Sequence, residues 1–349
     1  MFFLLSGMRI WYGVNGEGMG HAMRSAEIIR WLRSQGHTVQ GYAGGKGSEY
    51  VRSVAQVTKI PHLHFIIEKG KVQGVRTCIS NLVHFPFLIC SFGKRMYEGL
   101  VRRPDMIITD YEPLTAWTAF LLRIPLVSID NQHSITDADS SSIPSGVGKM
   151  SYQLFTRLMV PFPRKTLIFS FLPLATITPR ATIVAPMVKA SIQHVKKTRD
   201  NHFLLYLSGS NELLVAQLRA FTRQSFIVYG LNRNEQLGNV ALKAFDARAF
   251  VQDLASCRGF ITNGGMTSLS EALFLQKPIL CVPLQGQYEQ IANGHFLVQS
   301  KQGMMGEVLT PSVINQFQTF VKNYRHSQQK ETLPSWKPIL KRTLKELIS

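Results

Sequence analysis

The strongest constraint on this chain is a pattern that occurs in each half: an apolar strand, a loop of small residues, a helix and a second strand. In the first half a strand is predicted at residues 8–14, a glycine-rich loop at 15–20 and a helix at 21–34. The helix ends at Gly36, and another strand follows at 38–42. Such a unit places its two strands parallel in one sheet, with the helix packed on a face.

The same alternation continues along the chain and restarts after a polar segment. Further strands are predicted at residues 105–109, 125–129, 167–171, 202–207, 225–229, 259–262 and 278–282. Residues 182–191 are expected to begin the connection between two lobes. We therefore predict an α/β fold of two Rossmann-like, doubly wound domains that face each other, over residues 8–190 and 200–330. Residues 331–349 are expected to form a helix that packs back on the first domain.

The composition agrees with two packed cores and excludes a disordered chain. Of the 349 residues, 45% are apolar and 17% are charged. The formal net charge is +18, and residues 1–200 contain 24 Lys and Arg against 12 Asp and Glu. A basic excess suits an acidic ligand, anionic lipid or nucleic acid. The sequence has no dense basic run interleaved with aromatic residues and no helix-turn-helix or RNA-recognition pattern, so nucleic acid is the least favoured partner.

The cysteines and the hydropathy indicate a cytoplasmic protein. Cys78, Cys90, Cys257 and Cys281 lie far apart and predict unpaired thiols in a reducing compartment. Residues 1–7 are too short for a signal peptide and lack a basic flank, and no run reaches the ~20 apolar residues that span a bilayer. Peripheral contact with the inner face of the membrane stays open.

Two short sequences imitate metal sites. Asp137-Ala138-Asp139 lies in a Ser-rich loop, and His62-Leu63-His64 has no third ligand in sight. We therefore expect no metal, and we expect the two histidines to be ordinary strand residues.

The most informative stretch follows the strand that ends at Thr262. Gly264 and Gly265 let the backbone approach a ligand, and a helix begins directly after them. Free N–H groups and the helix dipole at such a position favour phosphate. Glu271 lies about two turns into this helix, where its carboxylate could accept hydrogen bonds from two ribose hydroxyls. The other residues of this predicted ligand site are Asn263, Met266, Thr267, Ser268, Gln287, Gln290 and Asn293.

The order Asn-Gly-Gly-x-x-Ser-x-x-Glu-Ala-Leu at residues 263–273, followed by Pro278 and Gln290-x-x-Asn293, resembles the donor signature of nucleotide-sugar glycosyltransferases of the GT-B type. It is similar to the UDP-glycosyltransferases and to the bacterial transferase that adds N-acetylglucosamine to the peptidoglycan lipid precursor. It also resembles an uncharacterised bacterial and archaeal branch with Gly-x-Gly-x-Gly-His near its start.

The resemblance spans both lobes and implies a first, acceptor domain and a second domain that binds the nucleotide-sugar, here a UDP-sugar. This co-substrate is the only small molecule implied, with no cofactor. The resemblance also assigns the loop Ser208-Gly209-Ser210 to the donor phosphates.

Two departures from the family pattern affect the expected chemistry. Many relatives carry histidine where Asn263 stands, so a phosphate contact from this position would be neutral. Retaining relatives carry two glutamates eight residues apart, whereas the position eight residues before Glu271 is Asn263. The resemblance therefore favours an inverting reaction.

The first glycine loop of the chain lies in the first domain, where Gly16, Gly18 and Gly20 are followed by His21 at the helix start. A dinucleotide-binding Gly-x-Gly-x-x-Gly would need glycine at position 21, which excludes that class. In inverting relatives a histidine at this place accepts the proton of the acceptor hydroxyl. Imidazole suits that role because its pKa lies near neutrality.

Asp110 ends the strand at residues 105–109, at the edge of the sheet where His21 is expected. The resemblance implies that Asp110 orients and charges His21. Glu112 is the alternative partner, or it caps the helix that follows. The residues predicted on the acceptor side are Gly18, Gly20, Glu112, Asn131 and His133.

Residues 82–95 and 152–173 combine Phe, Leu and Met with Arg and Lys. Burial in the core accounts for such stretches, and a face that docks on an anionic membrane is the alternative. That face would suit a lipid-linked or cell-envelope polysaccharide acceptor.

Taken together, these features predict an inverting, metal-independent hexosyl- or N-acetylhexosaminyltransferase that acts on a hydroxyl of a glycan or lipid-linked acceptor. Helix N-termini and loop amides would stabilise the departing diphosphate. A UDP-sugar 2-epimerase of the same fold is an alternative, although few acidic residues lie around the expected cleft. A nucleotide-sugar-binding protein without chemistry is another.

Overall fold

The computed structural model describes residues 7–45, 47–63, 66–68, 71–208, 212–324 and 333–348. Within these residues the chain forms two α/β lobes, each built around a seven-stranded sheet.

The first lobe contains nine strands and five helices in the described ranges. The strands are β1 (Arg9–Val14), β2 (Thr38–Ala43), β3 (Gln56–Lys59), β4 (Ile67–Glu68), β5 (Lys71–Val72), β6 (Met106–Asp110), β7 (Leu126–Asp130), β8 (Lys165–Phe169) and β9 (Ala181–Val184). The helices are α1 (Met19–Ser34), α2 (Gly47–Arg52), α3 (Gly74–Val101), α4 (Pro113–Leu121) and α5 (Val147–Met159), with a 3₁₀ turn at Gln132–Ile135. The sheet has the order β3-β2-β1-β6-β7-β8-β9 and is parallel, while β4 and β5 form a separate antiparallel pair.

The second sheet has the order β12-β13-β11-β10-β14-β15-β16, and only its edge strand β12 is antiparallel to its neighbour in the described chain. Its strands are β10 (His202–Tyr206), β11 (Ser225–Tyr229), β12 (Glu235–Leu237), β13 (Val240–Lys243), β14 (Gly259–Thr262), β15 (Ile279–Cys281) and β16 (Gly303–Met305). The helices from the connection onward are α6 (Ala190–Gln193), α7 (Glu212–Arg219), α8 (Ala247–Ser256), α9 (Met266–Phe274), α10 (Tyr288–Gln299), α11 (Pro311–Asn323) and α12 (Trp336–Ile348). The predicted fold class is confirmed.

Strand order determines where a ligand can bind. The chain leaves β1 towards β2 on one side and later returns to pair β6 on the other side, so the sheet has a switch point between β1 and β6. The β1–β6 register pairs Val14 with Asp110. The second sheet has its switch point between β10 and β14. Ligands bind beside the carboxyl ends of strands at such points, because the two loops diverge there and leave a crevice.

The C-terminal helix α12 packs on the first lobe, far from its neighbours in sequence. Trp336, Leu340 and Leu344 are buried in a cluster with core residues of the first sheet and α1. The rings of Trp31 and Trp336 meet edge to face, with centroids 5.4 Å apart. Lys165 and Glu346 add an ion pair at 3.2 Å. The tail therefore fastens the chain end back to the first domain.

One sequence expectation about this part of the fold needs correction. The strand at residues 167–171 was expected to be the last of the first lobe, but β9 follows it and pairs with β8. Strand β9 was missed because it is short, ends close to Pro186 and falls in the segment that the sequence assigned to the connection. In the second lobe α8 begins at Ala247 with Asp246 as its cap, whereas Asp253 lies inside the helix and bonds to Lys243 and Tyr229.

Helix α3 was not foreseen as a unit. Its 28 residues make it, among the helices of the described ranges, the one that is long and apolar enough to cross a bilayer by length and composition, with a mean hydropathy of 1.3 over its best window. The expectation that no segment reaches this length is therefore wrong by that measure. Polar residues interrupt the apolar ones, so a count of consecutive apolar residues misses the helix. Leu88, Arg95 and Gly99 are its buried residues.

The docking of α12 makes a testable contribution to stability. We expect Leu340→Ala, which empties a fully buried site between α12 and the first lobe, to lower the free energy of unfolding by about 2–5 kcal/mol. Urea denaturation followed by circular dichroism measures the change. The control is Lys341→Ala, at an exposed position of the same helix. Equal midpoints for the two variants would contradict docking through this face.

Candidate active site

His21 and Asp110 meet where β6 ends and α1 begins. His21 lies in the first turn of α1, and Asp110 is the last residue of β6. The Nδ1 atom of His21 lies 2.7 Å from Oδ1 of Asp110. Since an ionised carboxylate only accepts hydrogen bonds, Nδ1 carries the proton and the lone pair of Nε2 is left for another group. The side chain of Asp110 is fully buried, and that of His21 keeps 13% of its surface exposed.

Two further residues of α1 hold the same carboxylate. Arg24 donates from Nε to Oδ2 of Asp110 at 2.9 Å and from Nη2 to Oδ1, and Ser25 donates from Oγ to Oδ2 at 3.0 Å. Sequence reasoning missed both residues. The signal was available, because positions three and four residues after His21 share its face of the helix.

These contacts determine the charge of Asp110. Burial alone would raise its pKa, but the adjacent Arg24 guanidinium and the His21 ring lower the pKa to about 2. Burial opposes the charge of Arg24 as well, yet the carboxylate of Asp110 raises the pKa of that guanidinium. The pair is therefore ionised at neutral pH, and Asp110 presents a fixed negative charge to His21.

A 3₁₀ turn after β7 reaches the other nitrogen of His21. Nε2 of Gln132 lies 3.5 Å from Nε2 of His21 and donates to Oε2 of Glu289 at 2.9 Å. Asn131 donates to the other oxygen of Glu289 at 3.0 Å. Glu289 belongs to α10 of the second lobe, so a line of polar contacts joins the lobes beside His21. Glu289 was not foreseen as a site residue.

The turn itself is held by a buried ion pair. Nδ1 of His133 lies 2.7 Å from Oδ2 of Asp130. Burial would raise the pKa of Asp130 and lower that of His133, but their mutual attraction reverses both directions. Ser128 also donates to Asp130. This pair fixes the turn that carries Asn131 and Gln132.

Three residues predicted on the acceptor side need correction. Glu112, Asn131 and His133 each expose no more than 3% of their surface. Glu112 caps α4, accepting from the backbone N–H groups of Leu114 and Thr115 at 2.8 Å. With Asn131 bonded to Glu289 and His133 to Asp130, the three side chains face the protein, not an open acceptor surface.

The three glycines of the first loop occupy positions that favour glycine for different structural reasons. A side chain at Gly16 would collide with the ring of His62, within 2.3 Å. Gly18 has a φ of +78°, in the left-handed region that favours glycine. A side chain at Gly20 would come within 2.9 Å of Oγ1 of Thr267, in the other lobe. Of the three, Gly20 is therefore the one that lies against the second lobe. His62 lies after β3, outside any strand, and His64 lies outside the described residues.

The second glycine loop links β14 to α9. Gly264 has a φ of +91°, and a side chain there would lie 2.5 Å from Sγ of Cys281, so this position requires glycine. Gly265 is the N-cap residue of α9, and no side chain of the described chain caps this end by a hydrogen bond. The first N–H groups of α9 are thus available to an anion, as the sequence predicted.

Three predicted ligand amides hold this loop in place. Asn263 accepts from the N–H of Ser208 at 2.6 Å and donates to the carbonyl of Val282 at 2.9 Å, which joins the loops after β10, β14 and β15. Asn293 donates to the carbonyl of Gly264 at 2.9 Å, and Oε1 of Gln290 accepts from the N–H of Leu284 at 2.9 Å. The Asn263 amide therefore positions the loop, and its direct contact with phosphate stays a prediction.

The remaining predicted donor residues lie around the same loop. Met266 is buried, Thr267 and Ser268 are half-buried on the first turn of α9, and Gln287 is half-buried at the start of α10. The hydroxyl of Ser268 donates to the carbonyl of Gly265 at 2.9 Å. Gly209 and Ser210 lie outside the described residues.

Glu271 is buried in α9 and already has a cationic partner. Nζ of Lys189, from the segment between β9 and α6, lies 3.0 Å from its Oε1. Burial raises the pKa of Glu271 although Lys189 opposes this. Lys189 was not foreseen, and it occupies the carboxylate that the sequence assigned to ribose.

A cavity of about 850 Å³ is lined by residues of both lobes. Its walls include Gly20 and Arg24 of α1, Lys189 of the connection, and Met266 and Thr267 of α9. Its size is in the range of small-molecule sites. In the described residues no group of three or more His, Cys, Asp or Glu side chains could hold a metal ion. Asp137, from the sequence that imitates a metal site, pairs instead with Arg180 at 3.0 Å.

The buried charges of Asp110 make a prediction about acid stability. The pKa of Asp110 is about 2 in the folded chain and 3.8 as a reference value. A lowered folded pKa stabilises the fold above the unfolded pKa, and this stabilisation disappears as pH falls towards 2. Between pH 5 and pH 3 we expect it to contribute a loss of about 1 kcal/mol.

Urea titrations at pH 5, 4 and 3 test this expectation. Asp110→Asn should show a pH dependence smaller by about 1 kcal/mol than the unmodified chain. The matched control, Glu307→Gln, removes an exposed carboxyl outside the network and should keep the original dependence. Identical dependences in the chain and in Asp110→Asn would mean that Asp110 is not ionised through this network.

Comparison with known proteins agrees with the architecture. Residues 8–322 match glycosyl transferase family 1. Two proteins named "uncharacterized glycosyltransferase", from Methanosarcina mazei and Methanosarcina acetivorans, are 24% and 22% identical over 336 residues, covering 87% of this chain and 87% of each relative.

Among solved structures, the calicheamicin glycosyltransferase CalG4 has a TM-score of 0.62 at 16% identity, covering 98% of this chain and 93% of its own. LpCGTa, solved in complex with UDP, has a TM-score of 0.62 at 13% identity, covering 99% of this chain and 100% of its own. These structural similarities concern the fold, and the family match covers most of the chain. The chain therefore belongs to glycosyl transferase family 1 and is a glycosyltransferase with the GT-B fold.

Proposed function

We propose that this glycosyltransferase moves a sugar from UDP to a hydroxyl of a glycan or lipid-linked acceptor, with inversion at the anomeric carbon and without a metal. The observation that carries the proposal is the hydrogen-bonded pair His21–Asp110, whose neighbours Gly20 and Arg24 on α1 line the cleft together with Met266 and Thr267 of α9. A single imidazole oriented by a buried carboxylate suits a one-step displacement with one general base.

The proposed reaction uses both nitrogens of His21. Nδ1–H donates to Asp110, so the lone pair of Nε2 accepts the proton of the acceptor hydroxyl. The oxygen forms its bond to the anomeric carbon as the bond from that carbon to the diphosphate breaks, and UDP departs. The charge of Asp110 stabilises the imidazolium that forms, while Arg24 keeps Asp110 ionised. Gln132, 3.5 Å from Nε2, would yield this contact to the acceptor.

The donor would bind across the α9 loop. The uncapped N–H groups at Gly265 and beyond suit the diphosphate, since the positive end of the helix dipole favours anions. The ribose hydroxyls would take the place of Lys189 on Glu271. Lys189 lines the same cavity, so its ammonium would then be free to meet the departing diphosphate, which is the electrostatic role that a metal serves in other transferases.

The histidine role is tested by separating turnover from donor binding. We expect His21→Ala to lower the slow hydrolysis of the UDP-sugar by about 10²–10⁴-fold, because the general base is lost. The shift in melting temperature produced by UDP should be unchanged. His194→Ala, at an exposed histidine, is the control for both measurements.

Screening UDP-, GDP- and dTDP-sugars by thermal shift first identifies the donor. A His21→Ala variant that turns over normally would sink the general-base assignment. Stabilisation by none of the three nucleotides would sink the donor site itself.

The ribose contact is tested with a donor fragment. We expect Glu271→Gln to weaken UDP binding by about 10- to 100-fold, because hydrogen bonds to a charged group are lost. The chain should discriminate UDP from its 2′,3′-dideoxy analogue, and Glu271→Gln should bind both alike in calorimetry. Glu212→Gln, on the exposed face of α7, should retain the discrimination. Discrimination that survives in Glu271→Gln would place the ribose elsewhere.

A further inference from the structure

Helix α3 has its apolar and polar faces reversed relative to a helix of a soluble protein. Val75, Leu82, Val83 and Phe87 expose between 66 and 76% of their surface, and Ile79, Phe85, Ile89, Tyr97, Leu100 and Val101 expose more than half of theirs. At 100° per residue these side chains fall within an arc of about 200°. The buried residues Leu88, Arg95 and Gly99 lie on the opposite side. The arc therefore faces away from the protein.

The apolar arc continues onto the neighbouring helices. On α5 the side chains of Val147, Met150, Leu154 and Leu158 recur on one face and are 53–81% exposed. Phe162, after α5, stacks on Phe120 of α4 at 5.2 Å, and both rings are exposed. Trp117 of α4 also donates to the carbonyl of Leu158. We name the exposed apolar residues of α3, α4 and α5, with Phe162, the outer face.

Basic residues accompany the outer face. In residues 74–164, all of them described, the exposed cations are Arg76, Lys94, Arg102, Arg103, Arg123, Arg157 and Arg164, while the exposed acids are Asp105 and Asp139. The other acids of this stretch are buried or half-buried, including Asp110 and Asp130 in their ion pairs. An apolar surface with a cationic border fits the interface of an anionic bilayer.

We propose that the outer face docks the first lobe on an anionic membrane, with α3 lying in the interfacial layer. A second copy of the chain fits less well. The arc of about 200° is wider than the stripe that one packed helix covers, and the formal net charge of +18 opposes the approach of a like molecule. Contiguous exposed apolar surface rimmed by polar residues is typical of sites that bind another protein or a membrane.

Docking would also orient the proposed reaction. The inner side of α5 carries Phe155 and Met159, which line a small pocket together with Asn15, Gly16 and Glu17 of the first glycine loop. An acceptor anchored in the bilayer would reach that loop along α5. This step depends on the proposed sugar transfer, whereas the docking itself does not.

The cysteines provide a direct probe. Cys78 and Cys90 are exposed on α3 within the apolar arc, whereas Cys257 and Cys281 are buried. In the full-length Cys78→Ser variant, a nitrobenzoxadiazole label on Cys90 should shift to the blue and brighten when phosphatidylglycerol vesicles are added at low salt. Phosphatidylcholine vesicles should produce a smaller change, because the cationic border then has no partner. A label that stays in water with anionic vesicles at low salt would overturn the proposal.

Matched substitutions separate the outer face from general hydrophobicity. Val83→Glu with Phe87→Glu should lower the fraction that floats with anionic vesicles by about tenfold or more. The control pair Leu213→Glu with Val308→Glu alters similarly exposed apolar residues of the second lobe and should float like the unmodified chain. Both pairs should keep the thermal shift with UDP, so a loss of vesicle binding is distinguished from a failure of the donor site.

Analytical ultracentrifugation tests whether a second copy of the chain, instead of a membrane, covers the outer face. The chain should sediment as a monomer in detergent-free buffer at low micromolar concentration. A dimer that Val83→Glu with Phe87→Glu dissociates, without vesicle binding by the unmodified chain, would overturn the proposal in favour of self-association.

Discussion

The arrangement of the cleft depends on one buried carboxylate. Asp110 closes β6 at the switch point of the first sheet and receives hydrogen bonds from His21, Arg24 and Ser25 of a single helix. A buried carboxylate without partners would be protonated, because desolvation penalises the charge. Arg24 prevents this, and since Arg24 is itself buried, neither charge is stable without the other. The pair therefore fixes the position of α1 over the sheet and the orientation of the His21 ring together.

The second lobe reaches the same point through hydrogen bonds. Glu289 accepts from Asn131 and Gln132, and Gln132 lies beside His21. The approach of the lobes is close at Gly20, where a side chain would meet Thr267. Lys189 links the connection between the lobes to Glu271 of α9. Gly20, Thr267 and Lys189 also line the cleft, so these contacts between the lobes lie beside the proposed donor site.

The sequence predicted the framework and the position of the cleft, because hydrophobic periodicity and glycine spacing are local properties. The resemblance to the glycosyltransferase pattern singled out His21, Asp110 and the α9 loop. The partners of these residues could not be predicted from local patterns. Gln132 and Glu289 are 157 residues apart in sequence, and Lys189 and Glu271 are 82 residues apart. For Asn263 the sequence motif predicted the position but did not reveal the contacts. Its place in a motif suggested a ligand contact, whereas its amide joins three loops, and only the contacts distinguish binding a ligand from holding the loop that binds it. Arg24 could have been predicted from the sequence, because it lies three residues after His21 and so shares its face of the helix.

The first lobe departs in two places from the usual pattern of apolar residues inside and charged residues outside. At the carboxyl edge of its sheet it buries the charges of Asp110, Arg24, Asp130 and His133, and on the outer face it exposes a wide apolar arc. Both arrangements lower stability by themselves: the first because charges are desolvated, and the second because apolar surface stays in water. The buried charges are compensated within the chain, by each other. The exposed apolar surface has no such compensation in the described residues. The charges at the cleft are therefore paired within the chain, whereas the outer face is the surface that the proposed membrane would cover.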